Sequence, residues 1–163
     1  MDVASKSMAM DFSIQWRPFF LDPRLPGGEG KDKVAHYKAK FGAERVAQMI
    51  PHMVQTFKAE GIDGYNIEGK VGNTMDSHRL LEYALAKGGP SKQDELVEHL
   101  FKRYFLQGRA LSSRACLLEA AEACDLNGAD AVLESVRAAR GASKQTKGTA
   151  AGQCQLCPCA HPS

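Results

Sequence analysis

Hydrophobic and polar positions follow two regimes along this chain. Residues 12–16, Phe-Ser-Ile-Gln-Trp, alternate apolar and polar, the pattern of a strand with one buried face. The chain then stays extended to Pro23, because Pro18 and Pro23 each disfavour the helical region for the residue before them. Pro26-Gly27-Gly28 marks a loop. From Lys31 the period lengthens to that of a helix. Val34, Tyr37 and Phe41 line a first helix ending at Gly42. Val46, Met49, Ile50, Met53 and Phe57 line a second ending at Gly61, with Pro51 inside it predicting a kink. Residues 62–71 form an extended connection in which Tyr65 and Ile67 suggest a short strand.

The best-marked element follows. Asn73 or Thr74 is placed to cap a helix whose first turn carries Asp76, where the helix dipole favours negative charge. Ser77, Leu80, Leu81, Ala84 and Gly88 share a face, and Gly88-Gly89-Pro90 stops the helix. Ser91-x-x-Asp94 resembles a capping box and opens a third long helix, with Leu96, Val97, Leu100, Phe101, Tyr104 and Phe105 on one apolar face up to Gly108. That register makes Tyr104 and Phe105 core residues. Ser112 or Ser113 caps the next helix, whose inner face is Leu117, Ala120, Ala121 and Cys124. Asn127-Gly128 turns the chain into a last helix with Val132, Leu133 and Val136. After Gly141 apolar periodicity is lost, and residues 142–163 read as disordered.

At 44% apolar and 25% charged residues the composition is that of a soluble globular domain. The net charge of +2 is uneven: Arg137, Arg140, Lys144 and Lys147 lie beyond residue 136, which leaves residues 1–136 at −2. No nucleic-acid surface follows from this balance. No apolar run reaches the ~20 residues of a bilayer span, so no membrane partner is expected. The opening residues lack a secretory signal, which points to a cytoplasmic, reducing compartment and to five free thiols. Cys116 and Cys124, about 12 Å apart along one helix, read as small core residues.

One strand among some six helices is physically incomplete, since its backbone groups need partners on both edges. Four segments then become informative in their order: Trp16-x-Pro18-Phe19-x-Leu21-x-Pro23, Lys40-Phe41-Gly42, Gly72-Asn73-Thr74-x-x-Ser77-His78-Arg79-Leu80, and Leu100-Phe101-x-x-Tyr104-Phe105-x-x-Gly108. Over roughly residues 12–135 they resemble the FrnE-type branch of the DsbA-like thioredoxin-fold family, relatives of kappa-class glutathione transferases and 2-hydroxychromene-2-carboxylate isomerases. The resemblance implies a mostly α chain: the helical insertion of a thioredoxin (α/β) fold with one remaining strand, residues 12–16. It divides the chain into an N-terminus (1–11), the partial DsbA-like domain (12–140) and a Cys-containing tail (141–163). The family's Cys-Pro-x-Cys segment and cis-proline loop find no match here, so the chain looks shortened at both ends.

The implied function is oxidoreductase chemistry by thiol–disulfide exchange on a protein dithiol or a small thiol, with little or no activity left in this chain. The alternatives are a glutathione-dependent transferase or isomerase, with glutathione as the bound thiol, and a non-catalytic helical module that self-associates or binds a partner through the edge of residues 12–16. Asn73, Thr74, His78 and Arg79 are the substrate-cleft candidates, or simply a capped helix start. Cys154 and Cys157 have redox spacing without the strand–helix context. Cys154, Cys157, Cys159 and His161 match a zinc ligand count, or belong to an incidental tail.

Overall fold

Short polar residues and glycines set the helix ends. In the computed structural model, which describes residues 12–134, Asp32 accepts the Ala35 amide at 2.5 Å and opens α1 (Lys33–Phe41). Gly42, at φ 87°, ends it, and α2 (Ala43–Ala59) follows at once and runs on through Pro51. α3 (Met75–Phe101) consists of two limbs broken at Gly89, whose φ of 71° and ψ of −167° lie in a region open essentially to glycine alone. Pro90 then starts the second limb, where its missing N–H is no loss. α4 spans Arg114–Glu122, and residues 129–134 are helical again. The described residues up to Leu133 belong to one unit; a second begins at Glu134, the only one of its residues described.

The core lies between the two limbs of α3, α4 and the last helical turns. Leu80, Leu96 and Leu117 are fully buried, and Ala84, Ala120 and Ala121 are small enough to let the helices approach. Cys116 and Cys124 are buried, as their spacing predicted. The expected mostly α class therefore stands. Among the described residues the only ladder is two residues long: β1 (Lys31–Asp32) runs antiparallel to β2 (Lys70–Val71), with Lys31 opposite Val71.

The strand expected at residues 12–16 is not formed. The segment is extended, with Ile14 and Trp16 half-buried, so the alternation does report one sheltered face. Its neighbour, however, is a side chain. The Trp16 amide donates to Gln93 Oε1 at 2.8 Å, and Gln93 Nε2 donates back to the Trp16 carbonyl at 3.0 Å. Gln93 is fully buried and stands in for one rung of a sheet. Tyr65 and Ile67 form no strand either; the Asn66 amide donates to the Phe105 carbonyl at 2.7 Å. Ser113 sits at the mouth of α4 without capping it. Its hydroxyl donates instead to Glu29 at 2.9 Å, and the Ser112 hydroxyl to the Gly28 carbonyl at 2.7 Å, tying the 27–30 loop to α4.

Candidate functional site

The apolar face of α3 changes period at its end. Residues Lys102–Leu106 form a π turn, closed by the Gln107 amide donating to the Lys102 carbonyl at 3.2 Å. Wide turns of this kind concentrate at functional sites. Tyr104 and Phe105 share one wall with Val97, Leu100 and Phe101, yet neither is fully buried as a core residue would be. Both are half-buried and face a cleft of about 580 Å³. The 65–71 connection is sewn across this turn: the Lys70 amide donates to the Gly108 carbonyl at 3.0 Å, and a Cβ on Gly69 would overlap that carbonyl.

Several segments line the cleft, among them the 65–72 connection with Tyr65, Val71 and Gly72. The N-terminal arm gives Trp16, Phe19 and Leu21; α1 gives Tyr37 and Phe41; α2 gives Met49 and Met53; the end of α3 and its π turn give Phe101, Tyr104 and Phe105. Polar and charged groups also face it, among them Arg17, Asp22, His36, Lys40, Thr74 and His78. Tyr37 and Tyr104 place their hydroxyls 3.4 Å apart, and Tyr65 stacks on Phe57 with ring centroids 4.4 Å apart. Burial, aided by the Tyr37 contact, holds the Tyr104 hydroxyl protonated far above the usual phenol range, and burial raises that of Tyr65. The Tyr104 hydroxyl is thus a neutral hydrogen-bonding group and not a base. Behind the wall, buried Lys33 holds its ammonium 3.9 Å from the Tyr104 ring centroid and donates to the Tyr104 carbonyl at 3.2 Å. Burial lowers its pKa to about 8. A smaller hollow of about 410 Å³ adjoins, lined by Arg24, Lys31, His36 and Lys40, with Asp22 as its one carboxylate. His36 is biased toward its neutral form by burial and then by Lys31 and Lys40.

With this geometry in place, comparison with known families is decisive. A family model described as DSBA-like thioredoxin domain matches residues 2–159 of the 163. The chain belongs to that family. No curated protein matches it.

In the DSBA-like domain as described, the thiols are withheld. Burial raises the pKa of Cys116 and of Cys124, with Arg109 and Lys92 pulling the other way less strongly. A thiolate nucleophile needs the opposite, a lowered pKa with access to solvent. Of the four cleft candidates, Thr74 and His78 line the DSBA-like domain's cleft and Asn73 and Arg79 do not. Asn73 caps and clamps: its Oδ1 accepts the Met75 amide at 2.9 Å, its Nδ2 donates to the Pro23 carbonyl at 2.9 Å, and its own amide donates to the Pro26 carbonyl at 2.8 Å. His78 Nε2 lies 3.2 Å from the Phe19 carbonyl, and its ring meets Phe20 edge-on at 5.2 Å. Arg79 pairs with Asp76 at 3.0 Å. The polar cluster at the start of α3 thus fastens the arm that forms one cleft wall. Cys154, Cys157, Cys159 and His161 lie outside the described residues. Reading by sequence missed Lys33, Tyr37 and Tyr65. Lys33 did leave a signal, a base in a helix's first turn where the dipole opposes it. No helix among the described residues is long and apolar enough to cross a membrane.

Proposed function

We propose that residues 12–134 form the substrate-receiving part of a thiol–disulfide oxidoreductase of the FrnE type, and that this part holds a substrate without reacting with it. The observation that carries the reading is the pairing of an aromatic cleft, which also holds Met49 and Met53, with two cysteines that are both buried. Flexible methionines and amphipathic tyrosines suit apolar segments of varied shape, such as those flanking cysteines in an unfolded protein. Little or no exchange activity resides in these residues. Insulin reduction with dithiothreitol tests this: turnover should match that of a chain with every cysteine replaced. A reduced, alkylated polypeptide should nevertheless bind, and Phe105→Ser should weaken that binding with the circular dichroism unchanged. Turnover well above the cysteine-free chain would refute the proposal.

A second reading is favoured by the basic hollow beside the cleft. Arg24, Lys31 and Lys40 supply three cations where the carboxylates of a small anionic thiol such as glutathione would sit, with its thiol directed to the aromatic side. Saturable retention on immobilised glutathione, lost in Lys40→Glu, would support a transferase or isomerase of the kappa type. Absence of retention removes that reading and leaves the first intact.

A further inference from the structure

Away from the cleft, three chemically distinct donors converge. Glu95 and His99 are one turn apart on the second limb of α3, on one face, and Cys124 lies just beyond the end of α4. Their ligating atoms all fall within 4.8 Å of one another. A cation already stands at this place: the Lys92 ammonium is 2.7 Å from Glu95 Oε2 and 2.9 Å from the Cys124 carbonyl. Arg103 Nη1 lies 3.4 Å from His99 Nδ1, and Asp125 adds a carboxylate charge near the thiol.

We propose that Glu95, His99 and Cys124 form a binding site for a zinc-type divalent cation. One thiolate, one imidazole and one carboxylate suit zinc, whereas calcium and magnesium call for all-oxygen shells. Tetrahedral zinc spaces its ligand atoms about 3.3–3.7 Å apart. The three groups therefore need to close by at most about 1.5 Å. Glu95 is exposed and has the longest aliphatic stem of the three, so the closure falls mainly on its side chain. Three protein ligands leave a fourth position for water or an exchangeable group. Binding releases the Cys124 thiol proton to solvent and expels the Lys92 ammonium, which restores much of the local charge balance. Lys92 is thus a built-in competitor for the site.

The test uses the full chain with Cys154, Cys157 and Cys159 changed to Ser and His161 to Gln, which removes tail donors as an alternative source of binding. Cobalt(II) titration should give a thiolate-to-cobalt charge-transfer band saturating at one ion per chain, and zinc should abolish it. Glu95→Gln and His99→Gln, both at the surface side, should each weaken binding at least tenfold. Lys92→Met should tighten it by a similar factor, a gain that adventitious thiol binding does not predict. Cys124→Ser should remove the band. Because Cys124 is fully buried, that variant is judged only if its circular dichroism is native, and the two surface variants decide otherwise. No band in the tail-substituted chain, or affinities unchanged by Glu95→Gln and His99→Gln, would overturn the proposal.

Discussion

Replacing Gln93 by Leu should release the Trp16 end of the N-terminal arm while leaving the helical core folded. Gln93 makes two bonds to the Trp16 backbone, at 2.8 and 3.0 Å, and a longer one of 3.3 Å to the Leu81 carbonyl. At a net ~0.5–1.5 kcal/mol each, the two bonds to Trp16 contribute about 1–3 kcal/mol to docking of the arm. What remains near Trp16 is weaker. Its ring meets Phe101 edge-on at 5.9 Å, a contact worth ~0.5–1.5 kcal/mol, and its indole N–H donates to exposed Asp94 at 2.9 Å. The docking equilibrium should then shift by about 5- to 150-fold toward the free arm. Global stability is a poor readout, because a buried Leu regains ~1.5–3 kcal/mol of transfer free energy in the same place. Trp16 is the only tryptophan in the chain, so its emission reports the arm directly. The emission maximum should move to the red and acrylamide quenching should rise, with far-ultraviolet circular dichroism unchanged. If emission and quenching stay as in the parent, the Gln93 bonds do not hold the arm and the account of residues 12–16 is wrong.

Three further outcomes follow. Gly89→Ala should lower stability by about 1–3 kcal/mol through backbone strain alone, because open space surrounds the added Cβ; a urea midpoint equal to the parent's would contradict this. The folded pKa of Lys33, about 8, is depressed below its ordinary 10.5 by burial, so the unfolded chain binds more protons between those values. Stability should accordingly rise with pH across that window, and fall as pH drops toward 8; in Lys33→Met this component of the slope should vanish when urea midpoints are compared at each pH. Cys116 and Cys124 should resist iodoacetamide in the native chain and react after denaturation, as read by peptide mass spectrometry; rapid native labelling of either would show it to be accessible.

The legible part of the fold lay in its punctuation. Gly42, Gly89 and Gly108 end segments where apolar periodicity also breaks, so the helices and the α3 kink were open to sequence reading. Residues 12–16 misled because alternation records a sheltered face, not what shelters it. The partner is an amide side chain 77 positions away, a contact that leaves no local pattern. The β1–β2 ladder is too short to impose a period of two. The cleft was legible only in fragments. Thr74 and His78 stood out as polar residues at a helix start, while Tyr104 and Phe105 continue the apolar stripe of Val97 and Leu100, and a stripe alone does not distinguish a cleft wall from a core. Lys33 depends on the fold bringing Tyr104 over it from 71 residues on.

The π turn also makes the aromatic wall a matter of residue count. Each residue advances an α-helix by about 100°. Losing Arg103 would let the segment return to ordinary pitch and turn both rings about the helix axis. That deletion would re-aim the aromatic wall while keeping every side chain that lines the cavity, whereas a change of ring identity alters the side chain and leaves its direction alone.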